Sequence, residues 1–227
     1  MTALQRLDCE GNQLTNLDLT QNIALTYLNL SDNGSLSSFD LTQNIALTYL
    51  DCAITGLTNL DISQNTALTT LSCWLNNLTS LDVAQNTALT SLSCFSNDIQ
   101  SLDVSQNIAL TSLDCENNIL TCLNVQNGNN HNFTYIDIGN NSWLTCIEVD
   151  DVAYSTANWT NIPAILFSTN CNNDCSTSTA GINELNTSKT LIQILDLMGR
   201  EVTFKPNTPL IYVYDDGSTE RVFSVEY

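Results

Sequence analysis

The chain of 227 residues has a hydrophobic fraction of 43%, which is typical of a folded protein rather than a disordered one. Five basic residues against 24 acidic ones give a formal net charge of −19, which repels nucleic-acid phosphates and anionic lipid surfaces, so we expect no nucleic-acid partner. No apolar run approaches the roughly 20 residues of a membrane-spanning helix, so we expect no membrane span.

Most of the chain repeats itself every 21 or 22 residues. Residues 79–94 read TSLDVAQNTALTSLSC, and residues 100–115 read QSLDVSQNIALTSLDC. The leucine that opens each repeat stands at Leu7, Leu28, Leu50, Leu71, Leu92 and Leu113. A fixed period of this length predicts a solenoid, in which each unit buries its apolar face only by stacking on its neighbours.

Each repeat contains two short alternating apolar stretches, such as Leu71-x-Cys73 and Leu81-x-Val83. Alternation with a period of two is typical of a strand buried on one face, and so short a repeat leaves no room for a long helix. We therefore predict a mainly β fold, with a solenoid of about seven 21-residue coils and short parallel strands over residues 1–149. A small antiparallel β module follows at the C-terminus.

The repeat resembles the leucine-rich repeat motif L-x-x-L-x-L-x-x-N-x-L, with cysteine often in place of the third leucine. Stretches such as LTTLSCWLNNL and LTSLSCFSNDI carry the resemblance, which covers about residues 3–149. In that family the asparagine forms a buried ladder that closes each coil. The matching residues are Asn12, Asn33, Asn76, Asn97 and Asn118. The third coil has Thr55 instead, and an insertion precedes a looser seventh coil, so we expect the ladder to be interrupted at both places.

The first residues, MTALQRLDC, already stand in phase with NIALTYLNL at residues 22–30. They contain neither a signal-peptide pattern nor the polar cap that terminal repeats need. We expect that the chain is the C-terminal part of a longer secreted protein, or that its start has been assigned too late.

Five of the nine cysteines share one inward-facing column of the repeat: Cys9, Cys52, Cys73, Cys94 and Cys115. Free cysteine behaves as a small buried hydrophobe. Side chains in register on parallel strands point the same way, which disfavours disulfides between them. We therefore expect core residues rather than ligands at these positions.

The other four cysteines belong to the C-terminal end of the solenoid. Cys122 and Cys146 replace outward residues of the second strand, and Cys171 and Cys175 follow. In a secreted chain they predict one or two disulfides, with three possible connectivities if both form. A zinc site is the alternative, although the spacing is irregular and His131 lies in a polar insertion.

Residues 150–175 abandon the repeat, and we expect their apolar side chains, including that of Trp159, to cap the open end of the solenoid. The segment 176–188 is small and polar, which is typical of a linker.

Residues 189–227 contain strand-like runs separated by turn signals. This tail resembles the C-terminal sorting domain of the type IX secretion system of Bacteroidetes, over about residues 181–227. The match rests on two turns, Met198, Gly199 and Arg200, and Asp215, Asp216 and Gly217. This resemblance implies two things: the type IX secretion machinery is a partner, and the protein is secreted or located at the outer-membrane cell surface.

The leucine-rich repeat resemblance places the first strand of each coil on a concave side, where partners usually dock. Ala53, Ile54, Trp74, Leu75 and Phe95 come together there, and exposed apolar patches often mark binding sites. A covering loop or an upstream segment would hide them. For a protein or glycan ligand we predict contacts with Tyr27, Tyr49, Asp51, Ile54, Trp74, Leu75, Phe95 and Asp114.

A ladder of aspartates follows the second strand, where carboxylates ~4.8 Å apart repel by roughly 0.9 kcal/mol per pair even in bulk water. Bridging calcium is one hypothesis, with ligands at Asp40, Asp61, Asp82 and Asp103. Hydration, salt screening and turn hydrogen bonds are the other. We expect no other cofactor.

A column of threonines opens the first strand of each coil: Thr26, Thr48, Thr69, Thr90, Thr111 and Thr134. Regular threonine arrays on flat solenoids can match ice, so ice binding is a minor hypothesis.

The sequence contains no nucleophile elbow, phosphate loop or unique carboxylate pair, and we therefore predict no enzymatic activity. The function that we predict is a secreted binding or adhesion module displayed at the cell surface. The alternative is an accessory domain of a larger secreted enzyme. A calcium-stabilised or ice-binding solenoid is a minor alternative.

Overall fold

The computed structural model describes residues 3–171, 175, 191–195, 200, 202, 209–214 and 219–223. The chain divides into two compact units, residues 1–179 and 180–227. The first unit contains the strands β1 (Arg6–Asp8), β2 (Tyr27–Asn29), β3 (Tyr49–Asp51), β4 (Thr70–Ser72), β5 (Ser91–Ser93), β6 (Ser101–Asp103), β7 (Ser112–Asp114), β8 (Cys122–Asn124), β9 (Tyr135–Asp137), β10 (Ile147–Glu148) and β11 (Phe167–Ser168). It also contains the helix α1 (Val152–Asn158) and two 3-10 helices, Asn130–Asn132 and Ala164–Leu166.

Seven of these strands form one parallel sheet in the order β1, β2, β3, β4, β5, β7 and β9. Each strand pairs with the equivalent strand of the next coil, so that Leu28 faces Leu50 and Leu71 faces Leu92. The central leucines point inward and are buried. The predicted solenoid of parallel strands is therefore confirmed. In each coil, the central residue of the three-residue strand points inward.

The second apolar stretch of each coil forms a strand only near the C-terminal end. There β6, β8, β10 and β11 make a four-stranded parallel sheet. In the earlier coils Leu60, Ile62, Leu81 and Val83 are still buried, but they belong to no strand. The expectation of a strand at this position is thus wrong for those coils, because alternation reports which side chains are buried and not whether the backbones pair.

The inward cysteines lie in the core as expected. Cys52, Cys73, Cys94 and Cys115 are buried and free, and Cys9 is half-buried in the first coil. Burial raises the pKa of the Cys52 thiol far above its usual range, so it stays protonated. These side chains act as small hydrophobic residues.

The predicted asparagine ladder joins consecutive coils. The Asn97 amide nitrogen donates to the carbonyl oxygens of Cys73 at 3.1 Å and Cys94 at 3.0 Å, and its Oδ1 accepts the Leu78 N–H at 3.0 Å. Each of those carbonyls also accepts from a neighbouring ladder asparagine, because Asn76 donates to Cys73 and Asn118 to Cys94. The ladder therefore satisfies the backbone groups that a tight turn leaves without a partner.

The two expected interruptions of the ladder have different outcomes. At the third coil Thr55 donates its hydroxyl to the Cys52 carbonyl at 2.7 Å, but it offers no acceptor to Leu36, whose N–H bonds to Asn33 instead. At the seventh coil Asn141 continues the ladder, with 3.0 Å to the Cys115 carbonyl. The second expectation is wrong, because the insertion lies before β9 and leaves the register after that strand unchanged.

A second asparagine ladder uses the Gln-Asn pair, to which the sequence pattern alone assigned no role. The Asn86 amide nitrogen donates to the carbonyls of Ile62 at 3.0 Å and Asn65 at 2.9 Å. The same residue type is fully buried at Asn44, Asn65, Asn86 and Asn107. These side chains tie the opposite corner of each coil to the coil before it.

The C-terminal end of the solenoid is closed by α1 and β11. Asp151 caps α1 by accepting the N–H groups of Ala153 and Tyr154. Trp159 is buried against the rings of Phe133 and Phe167, as expected for a residue that covers the core. β11 then extends the second sheet by pairing with β10.

Two disulfides fasten this end, and they settle the connectivity that the sequence left open. Cys122 is bonded to Cys175 and Cys146 to Cys171. The Ser101 hydroxyl also donates to the Cys175 carbonyl at 2.7 Å. The chain after β11 therefore contacts three successive coils in reverse order. Because all four cysteines form disulfides, the zinc alternative for them is excluded.

The second unit contains β12 (Leu191–Leu195), β13 (Pro209–Tyr214) and β14 (Thr219–Phe223). They form an antiparallel sheet in this order, as predicted for the C-terminal module. Arg200 is exposed. The other residues of the two sorting-signal turns lie outside the described residues: Met198, Gly199, Asp215, Asp216 and Gly217. Across the described part of the chain, no helix has the length and apolarity that crossing a bilayer requires.

The ladder predicts a large loss of stability on Asn97→Ala. The change removes four hydrogen bonds and leaves the buried Leu78 N–H without an acceptor, so we expect a loss of roughly 3 kcal/mol in the free energy of unfolding. Asn59→Ala, at an exposed asparagine, should change it by less than about 0.5 kcal/mol. Denaturant unfolding of both variants tests this, and equal small losses would contradict a structural role for the ladder.

Candidate binding face

The outward side chains of the seven-stranded sheet, and the residues directly after each strand, form a surface that we call the concave face. Because every strand is in register, equivalent residues stand in columns across the coils. The column before the central leucine contains Arg6, Tyr27 and Tyr49, and ends at Tyr135. Side chains from distant parts of the sequence therefore become neighbours on this face.

Tyr27 and Tyr49 stack with ring centroids 4.4 Å apart and planes 5° from parallel. The Arg6 guanidinium covers the Tyr27 ring at 3.4 Å from its centroid, and it also bonds to Asp8 at 3.1 Å. Burial, together with the charge of Asp51, raises the pKa of Tyr49 to about 12, so its hydroxyl stays neutral. This half of the face is an ordered cation and aromatic stack.

A second aromatic stack lies over the next two coils. The Trp74 and Phe95 rings are 5.0 Å apart and 7° from parallel, and both are half-buried. Leu75 follows Trp74 and is 49% exposed, and Ile54 stands at the equivalent place one coil earlier. We call Ile54, Trp74, Leu75 and Phe95 the apolar patch.

Ala53 does not belong to the patch, contrary to the sequence-based expectation. It is 0% exposed, and its N–H donates to the Asp51 carboxylate at 3.0 Å. Its small side chain is thus covered by its neighbours and offers no surface to a partner. The patch is therefore carried by four residues and not five.

The backbone has a left-handed conformation at one position of each of the seven coils, directly before the asparagine of the ladder or, in the third coil, before Thr55. Five of these positions carry glycine or a short polar residue: Gly11, Asp32, Ser96, Asn117 and Asn140. At Ile54 and Leu75, with φ of 55° and 51°, bulky apolar residues occupy it instead. A β-branched or bulky residue in this region is strained, and both such residues belong to the apolar patch.

The predicted acidic contacts fall in two separate places. Asp51 lies beside Tyr49 and accepts the Ser72 hydroxyl at 3.0 Å. Asp114 lies further along the sheet, where burial raises the pKa of its carboxyl and the charges of Asp137 and Glu116 raise it further. The structure thus brings the predicted residues together as two groups rather than one.

Four residues of this face are not among the ligand contacts predicted from the sequence: Arg6, Glu116, Tyr135 and Asp137. Each stands in a column of the repeat already recognised, so the signal was present. That signal was too weak to select them, because a column shows which side chains are neighbours but not which of them are in contact.

The aspartates of the second apolar stretch have a turn-forming role. Asp61 accepts the N–H of Ser63 at 3.0 Å, and this hydrogen bond lowers the pKa of the carboxyl. Asn124 also accepts an N–H, that of Gln126 at 2.9 Å, without carrying a charge. Within the described residues no group of three or more His, Cys, Asp or Glu side chains is arranged to hold a metal. Turn hydrogen bonding thus explains the ladder without calcium, and calcium binding stays a hypothesis.

The threonine column is a further ladder. The Thr90 hydroxyl donates to the Thr69 carbonyl at 3.0 Å, and Thr69 donates to Thr48 in the same way. These hydroxyl protons are committed to joining the coils. This hydrogen bonding accounts for the threonine column, so the ice-binding hypothesis is not needed to explain it.

The stacked parallel sheet, the short coil and the asparagine ladder define a leucine-rich-repeat solenoid. The functional domain of InlJ from Listeria monocytogenes, whose structure includes a cysteine ladder, is 39% identical over 64% of this chain and 34% of its own, with a TM-score of 0.42. Internalin C2 from the same species is 23% identical over 64% of this chain and 71% of its own, with a TM-score of 0.50.

The leucine-rich repeat protein LIC12759 from Leptospira interrogans is 20% identical over 67% of this chain and 46% of its own, with a TM-score of 0.54. No protein-family model and no curated protein matches the chain. The likeness to the Leptospira protein confirms the fold. The chain spans only about a third of the InlJ structure, at 34%.

The turn-forming role of the aspartates predicts that Asp61→Asn unfolds at or above the temperature of the parent protein. The amide keeps the acceptor for Ser63, as Asn124 does for Gln126, and the repulsion from neighbouring carboxylates falls. Asp61→Ala should be less stable than Asp61→Asn by about 1 kcal/mol because the turn loses its acceptor. Thermal unfolding with calcium and with chelator tests this. A calcium-dependent stabilisation that Asp61→Asn abolishes would support the calcium hypothesis.

Proposed function

We propose that the protein is a binding or adhesion module that holds a partner protein against its concave face. The observation that carries this proposal is the strained apolar patch. Ile54 and Leu75 adopt a left-handed backbone beside the Trp74 and Phe95 stack. Such a conformation costs a side-chain-bearing residue about 1–2 kcal/mol.

The fold alone gives no reason for this strain. Leu75 is 49% exposed and regains little of the cost through burial, while an asparagine at the same position of other coils avoids most of it. Strained residues often persist where a binding surface needs them. An exposed leucine beside two aromatic rings is the composition of an interface centre.

The ring geometry favours a protein over a glycan. Both aromatic pairs are almost parallel and separated by about one strand spacing, so their faces are turned towards neighbouring coils and their edges towards solvent. Tyr27 has Arg6 against one face and Tyr49 against the other. A sugar ring packs on an open aromatic face, whereas a protein side chain packs equally well on ring edges and on Leu75.

Two further features support a secreted protein. Disulfides such as those between Cys122 and Cys175 and between Cys146 and Cys171 persist in oxidising compartments. The tail resembles a type IX sorting domain, with Arg200 in one of the two matching turns. We infer that the secretion machinery recognises this tail and that the solenoid is displayed at the cell surface. In a longer protein the same face would serve as an accessory binding domain.

Binding to arrays of extracellular proteins and of glycans tests the proposal with the full chain. We expect hits on the protein array, and an affinity loss of roughly tenfold or more for Trp74→Ala/Phe95→Ala, since buried aromatic anchors dominate interfaces. The matched control is Ile45→Ala/Ile108→Ala, which truncates two exposed isoleucines outside the concave face, 62% and 66% exposed, and should bind normally. A hit that only the control variant loses would contradict the assignment of this face.

The strain predicts opposite effects of one substitution on stability and binding. Leu75→Asn should raise the free energy of unfolding by up to about 1 kcal/mol, because asparagine tolerates the left-handed conformation better. The same change should weaken partner binding, because it removes an exposed apolar contact. Denaturant unfolding and titration with a partner from the array measure the two effects. A variant that is destabilised and binds normally would contradict this explanation of the strain.

A further inference from the structure

The outer edge of β9 is one of the two unpaired edges of the seven-stranded sheet, and the other belongs to β1. β9 is the last strand of the seven-stranded sheet, and its only neighbour among the described strands is β7. In the second sheet, the end strand β10 is continued by β11. Beyond β9 lie residues of the cap, including Trp159 and Ile162, and the described hydrogen bond to the outer edge comes from the Asn161 amide, which donates to the Ile136 carbonyl at 3.2 Å.

The ladder bonds show which backbone groups of β9 point outward. The Cys115 N–H donates to the Asp137 backbone carbonyl, and the Thr134 N–H donates to the Thr111 backbone carbonyl. The Asp137 carbonyl and the Thr134 N–H therefore face β7. In a parallel ladder the intervening residues face the other side. This alternation places the N–H groups of Ile136 and Ile138 on the outer side, and outside the strand ladders neither has a hydrogen bond to another described backbone group. An added strand would supply acceptors for both groups.

Two cavities lie along this edge, one on each side of Asn161. The larger, of about 340 Å³, is lined by Asp137, Ile138 and Ile162 among others. The smaller, of about 270 Å³, is lined by Tyr135, Ile136 and Trp159 among others. Both include Asn161 and Asp137. The edge therefore borders a groove that one side chain divides.

The first strand of the same sheet indicates which side chain suits this groove. Arg6 pairs in register with Tyr27, and its guanidinium lies 3.4 Å from the ring centroid. At the other end of the same column stands Tyr135, which is 49% exposed. A strand added to β9 would place a side chain beside Tyr135 in the same way that β1 places Arg6 beside Tyr27.

The charges around Tyr135 also favour a cation. Asp114 and Asp137 face each other across β7 and β9, and the Glu116 side chain lies near Gly139 together with Asp137. Repulsion among these carboxylates raises the pKa of Asp114 in addition to the effect of burial. A guanidinium can bond to carboxylates and lie on an aromatic ring at once.

We propose that the outer edge of β9 binds an extended, arginine-containing segment of a partner protein as an added parallel strand, with the arginine over Tyr135. The proposal rests on the proposed function in that it requires a protein partner at the concave face. It does not involve the apolar patch, so the two can fail separately.

Two synthetic peptides test the site on the isotope-labelled full chain. One is the capped heptapeptide Thr-Val-Arg-Val-Thr-Val-Thr, and the other has glutamate in place of arginine. We expect the arginine peptide to shift the Ile136 and Ile138 amide signals and to slow their hydrogen exchange about tenfold or more. The glutamate peptide should bind about tenfold more weakly. Exchange at both amides that is unchanged at millimolar arginine peptide overturns the proposal.

Backbone methylation of the peptide separates strand addition from simple charge attraction. One strand edge uses only alternate N–H groups, so methylating one alternate set should abolish binding and methylating the other set should leave it intact. Equal binding of both methylated peptides would show attraction without strand addition, and it overturns the proposal.

Variants of the protein complete the test. Asn161→Ala frees the Ile136 carbonyl and should raise peptide affinity severalfold, whereas Asp137→Asn/Glu116→Gln should lower it about tenfold. Both substitutions keep a side-chain oxygen that can accept the existing hydrogen bonds, from the Gly139 N–H and from the Asn140 side chain, so we expect the fold to be retained. Asp82→Asn, which changes an exposed aspartate of the second apolar stretch, should bind normally. If an array partner still requires Trp74 and Phe95 while no peptide engages β9, this proposal fails and the proposed function stands.

Discussion

The structure depends on the hydrogen bonding of backbone groups that each tight coil would otherwise bury without a partner. Two asparagine ladders satisfy them: Asn97 and its equivalents at one corner, and Asn86 and its equivalents at another. An amide is suited to this role because its nitrogen donates two hydrogen bonds from one position, and in the Asn97 ladder its oxygen accepts a third. With the coil closed from inside, the inward leucines and cysteines fill the remaining space, and outward residues contribute mainly through the threonine column, which also joins the coils.

The same division explains what could be predicted from the sequence. The inward column of Cys52, Cys73, Cys94 and Cys115 was predictable, because burial imposes one residue type at one place in every coil. The seventh-coil ladder was not, since Asn141 returns to register only after an insertion of variable length. The disulfide pairing was not predictable either. It depends on the path by which the chain after β11 runs back over three coils, and no repeat encodes that path.

The binding face was predictable as a list of neighbours but not as a geometry. Periodicity placed Trp74 beside Phe95, yet only the structure shows their rings stacked and Ala53 buried. The left-handed backbone at Ile54 and Leu75 was not predicted, because its only sequence signal is the glycine or asparagine at the same position of other coils, such as Gly11 and Asn117. Compared with those coils, the apolar patch contains backbone strain that the fold does not need. This strain is the strongest reason to propose that the patch binds a partner.

The most direct measurement is photo-cross-linking from position 75 in the full chain, with a photoreactive leucine analogue in place of Leu75 and a partner found on the protein array. A matched protein carries the analogue in place of Ile108, which is 66% exposed outside the concave face. The expected result is a cross-link to the partner from position 75 and none from position 108. A cross-link from position 108 alone would show that the partner binds elsewhere, and it would contradict the assignment of function to the concave face.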